Sequence, residues 1–272
     1  MMVYMDTSAQ KKPFGFSEFH LKIIAYTTMF IDHVGAFVIR PYEDANMETI
    51  GYKMMRVLDN SYEACRIIGR IAFPLFCFML VEGIFHTKNK WLYLARLIIF
   101  AGLSDIPFDL VNAIADDPFS ASARFSPFSY THQSVMITLS IGLIVLIILE
   151  EIRKTKLPVL LQDLLMLVPI ACGALAAHFS NCDYGFKGVL AICGLYLLYP
   201  LLHTARGSYA TCGGLMFFWE WVNRPSRVTA SLSLLSLMFY NGEKGKSAKW
   251  FFYFFYPVHL LLLYGVIRWL IG

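Results

Sequence analysis

What this chain can fold into is limited first by a series of apolar segments, each near the ~20 residues that a helix needs to cross a bilayer. About nine can be marked, at residues 21–39, 66–85, 91–112, 133–150, 157–178, 186–202, 209–222, 226–240 and 251–271. A chain of 272 residues that spends itself this way has little left for a soluble domain. Its composition agrees: 57% of residues are apolar and only 15% are charged, against roughly half and a quarter in soluble domains. The expected fold is therefore all-α, a polytopic transmembrane bundle of about nine helices. Residues 1–20 read as a polar cytoplasmic segment, and residues 21–272 as a single integral membrane domain with no linker dividing it. Segments seven and eight are short, parted by "NRPSR", and suit a broken or re-entrant pair.

The basic residues set an orientation. With a cytoplasmic N-terminus the inner loops carry Lys88, Lys90, Arg153, Lys154, Lys156, Arg206, Lys244, Lys246 and Lys249, which the positive-inside bias favours. The plasma membrane is the expected location. Two long connections, residues 40–65 and 113–132, then lie outside as loops able to roof a cavity. A net charge of +4 is explained by these clusters, so nucleic acid is not an expected partner. The Cys at 65, 77, 172, 182, 193 and 212 show no C-x-x-C spacing and fall mostly in apolar runs, where Cys acts as a small hydrophobe. Neither a disulfide framework nor a metal site is expected.

Ionisable residues inside the spans point to a site, because such groups face the bundle interior and mark functional pathways. "TMFIDHVGAFVI" places Asp32 beside His33. Adjacent residues diverge by about 100° around a helix, so the two cannot form a couple with each other. Asp32 is expected to pair with Arg66 or Arg70, which share a face of the second segment. His33 is then free to face a cavity as a proton acceptor. Glu82 with His86, and Asp105 with Asp109 across a proline, are further pairs at helical spacing. Arg66, Glu82, His86 and Asp109 lie near segment ends, where snorkelling or surface pairing also accounts for them.

The blocks "LKIIAYTTMFIDHVGA", "CRIIGRIAFPLFCFMLVEGIFHTKNKWLYLARL", "SDIPFDL", "DYGFKGVL" and "YNGEKGKSAKWFFYFFYPVHLLLLY" resemble the TraX family across nearly the whole chain. The family is named for a membrane acetyltransferase that acetylates the pilin of conjugation systems. The resemblance implies transfer of an acetyl group from acetyl-CoA to a peptide or glycan acceptor, and kinship with the acyltransferase-3 and heparan glucosaminide acetyltransferase group. On that footing His33 is the general base, and Asp32, Arg66 and Arg70 complete the catalytic set. From the residues themselves, Asn241, Gly242, Lys244 and Lys246 of "NGEKGK" offer amides and ammonium groups to the donor's phosphates or form a solvated inner loop, and His259 lines the donor channel or caps a kink; Asp105, Asp183 and Tyr184 are set toward the acceptor, where Asp183 meets it or shapes the loop. One departure stands out: "HQSV" puts Ser134 where the family has Asn. Beyond acetyl-CoA and the acceptor, the lipid bilayer is the expected partner, and a homodimer is allowed.

Other classes are weighed against this. A proton-coupled transporter or flippase would use Asp32, His33 and Asp105. A protease lacks H-E-x-x-H and G-x-S-x-G. A non-catalytic assembly subunit would leave Asp32 and His33 without a chemical task.

Overall fold

Helix begins where the polar N-terminal residues give way at Ser17, whose backbone N–H donates to His20 Nδ1 at 3.1 Å. This contact satisfies one of the donors that a helix start leaves open. The computed structural model describes residues 15–118, 132–199 and 232–271. Helix α1 (Glu18–Val34) runs without interruption through a π-helical turn (Gly35–Ile39) into α2 (Arg40–Ala45). After a short turn come α3 (Tyr52–Gly69) and α4 (Ala72–His86), joined by a break at Arg70 and Ile71. Then follow α5 (Lys90–Asp116), α6 (Val135–Arg153), α7 (Val159–Phe179) and α8 (Gly185–Leu198). The short α9 (Ser233–Met238) and the long α10 (Lys249–Ile271) complete the described helices.

Among the described residues, six helices are long and apolar enough to cross a membrane: Glu18–Ala45, Tyr52–His86, Lys90–Asp116, Val135–Arg153, Val159–Phe179 and Lys249–Ile271. Gly185–Leu198 is a shorter apolar helix. The fold is thus an α-helical membrane bundle, but the expected count of about nine spans is not met among the described residues. Segment 209–222 lies outside them, and segment 226–240 supplies only the short α9 there. The first helix also starts at Glu18, inside the stretch read from sequence as a polar tail.

The expectation of a long outer loop at residues 40–65 is wrong. That stretch is helical, as α2 and most of α3. Its polarity conceals a helix with one face packed on α1: Gly35 meets the Cys65 side chain and the Tyr62 backbone. Arg40 ties the two helices together, reaching Asp44 at 3.4 Å on its own helix and Asp59 at 3.4 Å on α3. The pairing is antiparallel, so α3 leads the chain back toward the bundle and α4 completes the return.

Around this hairpin, α5 packs on α10 and α6, α6 on α7 and α8, and α8 on α4. Leu75, Leu143, Leu146, Leu149, Ile192 and Leu260 are wholly enclosed. Helix α7 buries only Met166, Gly173 and Ala177. Its leucines face outward, as suits an element bordered by lipid, where apolar surface carries no penalty.

Candidate functional site

The adjacent Asp32 and His33 turn to different helices, as their angular separation requires. Asp32 faces α3, where its Oδ2 accepts from Arg66 Nη1 at 2.6 Å. The approach is close because Gly69 has no side chain; a Cβ there would overlap the Asp32 carboxylate. Both members of the pair keep some access to solvent, at 24% for Arg66 and 19% for Asp32.

His33 faces α10. Its Nδ1 lies 2.7 Å from His259 Nε2, with the rings 5.0 Å apart and 10° from parallel. His259 Nδ1 lies 2.8 Å from the Phe255 carbonyl. A carbonyl oxygen can only accept, so His259 carries its proton on Nδ1 and presents a lone pair at Nε2. His33 must then donate from Nδ1, which leaves the lone pair of its own Nε2 as the end of the chain. The pair is buried, at 9% exposure for His33 and 2% for His259. It is enclosed by the Phe30, Phe37 and Tyr256 rings. The π-helical turn begins two residues after His33, and irregular turns of this kind recur at functional sites.

The third contributor is the turn before α8. Asn181, Tyr184 and Gly185 all have positive φ, at 48°, 64° and 47°. For a bulky tyrosine that is a genuine outlier, held only where the surroundings insist on it. Here they do: Tyr184 stacks on Phe73 with centroids 3.6 Å apart, and the Arg70 guanidinium lies beside its hydroxyl. Gly188 leaves the room, since a Cβ there would press on Thr138, Tyr184 and Phe73. The turn is tied to the start of α6 on both sides. Asp183 N–H donates to the Gln133 carbonyl at 2.9 Å, and the Thr138 hydroxyl donates to the Asp183 carbonyl. The Asp183 carboxylate accepts from the Tyr184 N–H at 3.0 Å.

Asp183 is open to solvent although protein atoms crowd around it. Burial raises its carboxyl above the usual range, and the attraction of Arg66 and Arg70 opposes this without cancelling it. The sign follows. A carboxyl whose pKa is higher when folded binds its proton more tightly in the folded state, so the protein gains stability at low pH. That gain disappears as pH rises from the unfolded value, about 3.9, through the folded one. Asp183→Asn removes the titration while keeping an acceptor for the Tyr184 N–H. Its melting temperature should exceed the wild type's by a margin that grows with pH and then levels off. Thermal unfolding in detergent between pH 5 and 8 checks this; a wild type more stable than the variant at pH 8 would refute it.

The residues proposed from sequence separate into groups. Asp32, Arg66, Arg70, Asp183 and Tyr184 form one network, with His33 and His259 on its flank. Asp105 is buried on α5 beside Pro107. Asn241, Gly242, Lys244 and Lys246 stand elsewhere, at the start of α1. The Glu243 and Lys244 carbonyls accept from the Glu18 and Phe19 N–H groups at 2.8 and 3.2 Å, and Asn241 N–H donates to the Phe16 carbonyl at 2.9 Å. The loop therefore spends backbone groups on capping α1, and it does not converge with His259. His33 lies 15 residues along α1 from Glu18, or ~22 Å.

Sequence reasoning placed His259 with the wrong neighbours, because a histidine pair joining the first and last helices leaves no spacing signal. It also missed the hub at Glu82 as a core feature. Glu82 Oε2 accepts from the Tyr199 hydroxyl at 2.5 Å, and Oε1 accepts from Tyr240 at 3.2 Å with His86 3.3 Å away.

A polytopic α-helical membrane protein with a histidine pair and a compensated charge network buried between its helices is the class that this fold and site define. The chain belongs to the TraX family: the model described as TraX protein matches residues 17–267. It is 32% identical over 260 residues to "Probable fimbrial assembly protein FimC, serogroup H1" from Dichelobacter nodosus, a match covering 91% of this chain and 94% of that protein. No solved structure matches the chain.

These findings overturn the expectation of an acetyl-CoA-dependent acetyltransferase. The family is described only as TraX protein and the full-length relative is named for fimbrial assembly, and neither carries evidence of acyl transfer. The geometry gives a reason to abandon it. Arg66 is committed to Asp32, the loop read as a donor dock caps a helix, and the residues assigned to the donor do not meet. The transporter alternative falls with the same correction.

Proposed function

We propose that this chain is an integral plasma-membrane component of fimbrial assembly, with its N-terminus in the cytoplasm. The observation that carries the reading is the end-to-end match to a protein named for fimbrial assembly. An accident of shared hydrophobicity would not extend over 91% of one chain and 94% of the other. Lys88, Lys90, Arg153, Lys154, Lys156, Lys244, Lys246 and Lys249 fall at the helix ends that gather around the start of α1, which supports the orientation. In that orientation the Asp32–Arg66–Asp183 network and His33 lie toward the outer side of the bilayer.

In this reading the site engages a polar group of the fibre subunit. His33 Nε2 offers a lone pair between the helices, and the compensated charges beside it leave its surroundings polar without a large net charge. A donor such as a hydroxyl, an amide or an ammonium group satisfies the nitrogen. A subunit presenting only apolar surface would leave it unpaired.

Deleting the gene in its native host and counting surface fibres by electron microscopy tests the reading. Loss of fibres, restored by the wild-type gene, is the expected result. His33→Ala should reach the membrane at wild-type levels yet restore fewer than about one tenth of the fibres, the size of defect expected when a buried hydrogen bond worth ~1.4 kcal/mol or more is lost. Fibre numbers unchanged by the deletion would reject the function. Full rescue by His33→Ala would reject the site.

A further inference from the structure

We propose that Asp105, with Asp109 and Ser134, forms a binding site for a single hard monovalent cation, sodium, inside the bundle. This is independent of fimbrial assembly and rests on a different part of the molecule.

Asp105 and Asp109 stand one turn apart on α5 with Pro107 between them. Both are buried, Asp105 at 7% exposure. Asp105 Oδ1 has no access to solvent and no hydrogen-bond partner. Among the described residues the charge that acts on Asp105 is that of Asp109, another anion. A carboxylate so placed is costly in a low-dielectric interior unless something positive meets it.

A second helix brings an independent observation. Ser134, at the start of α6, has 0% exposure and a hydroxyl oxygen without a partner. Two contacts place it at the same height. The Lys90–Glu150 ion pair sets α5 antiparallel to α6, so fifteen residues on from Lys90 and back from Glu150 bring Asp105 level with Val135, next to Ser134. The Phe100–Tyr253 stack, with centroids 4.9 Å apart, registers α5 with α10. Five residues further, Asp105 is level with Val258. Ser134 also lies against the Tyr256 phenol of α10. Two unsatisfied buried oxygens thus stand at one level, on adjacent helices.

The backbone adds to the set. Pro107 has no N–H, so the Leu103 carbonyl, one turn earlier, loses its helical donor. The Ser104 hydroxyl, wholly buried, already donates to the Phe100 carbonyl at 2.5 Å and keeps its lone pairs. Every candidate ligand is an oxygen, which selects a hard cation over a transition metal. No group of three His, Cys, Asp or Glu side chains able to hold a metal converges among the described residues. That leaves two carboxylates at most and favours a singly charged ion over calcium or magnesium.

The test uses the full chain purified in detergent. Thermal unfolding is followed at pH 7.5 and constant ionic strength as choline chloride is replaced by sodium chloride or potassium chloride. Sodium should raise the melting temperature saturably, with at least tenfold preference over potassium. Asp105→Asn should abolish the sodium dependence and, in choline, melt no lower than the wild type. Should that variant not fold, Ser134→Ala decides, and a sodium midpoint at least threefold higher than the wild type's is expected. Equal melting in sodium and choline would show instead that Asp105 carries a proton, and would overturn the proposal. So would a sodium effect that survives Asp105→Asn, or a midpoint unmoved by Ser134→Ala.

Discussion

Arg66→Leu should destabilise the folded protein by about 2–3 kcal/mol, because it strands the Asp32 carboxylate between α1 and α3. Removing one partner of a fully buried pair costs ~3–5 kcal/mol, and the residual solvent access of this pair lowers the expectation. The informative variant is the double one. Asp32→Asn combined with Arg66→Leu removes both charges and should recover most of the loss. Thermal unfolding of the two single variants and the double in one detergent gives the coupling directly. A coupling below about 0.5 kcal/mol would mean that the pair is a surface contact of no structural weight.

Gly69→Ala is expected to be at least as harmful, at about 3 kcal/mol, although it adds a single methyl group. The new Cβ falls on the Asp32 side chain, including its Cβ, and no rotamer change can move that atom. The helices must therefore part, and the Asp32–Arg66 contact stretches with them. Gly102→Ala is the matched control. It sits inside α5 with nothing within 4 Å of the added Cβ, so alanine's better helix propensity should make it neutral or stabilising by ~0.5–1 kcal/mol. If the two alanine variants melt alike, the close approach of α1 and α3 has no energetic importance.

Much of the site is legible in the sequence. An Asp in an apolar span demands a partner, and the two arginines spaced four apart in the next span were the available ones. Arg66 takes that role, and Arg70 turns instead to Tyr184. The glycines of "DYGFKG" signalled a tight turn; Gly185 does adopt positive φ and Gly188 admits its neighbours. What could not be read was the partner of His33. Helical spacing relates residues within one helix, and His259 lies 226 positions away. The polar stretch at 40–65 misled for a related reason. Its average polarity says loop, whereas its helical face becomes meaningful only against Gly35 and Arg40 of a neighbouring helix. The enzymatic expectation carried a chemistry from a resemblance, and the fold keeps the loop assigned to the donor at the start of α1, away from His33 and His259.

By itself, then, the sequence determined a helical membrane protein and its intramembrane ionisable residues, because desolvation in the bilayer leaves few other outcomes for such a chain. Only the tertiary structure decided which of those residues meet. The proton order of the histidine pair, the tie between Asp32 and Arg66, and the unsatisfied oxygens of Asp105 and Ser134 depend on ångström-scale distances between helices far apart in the chain. Those distances are set by packing, and no local pattern encodes them.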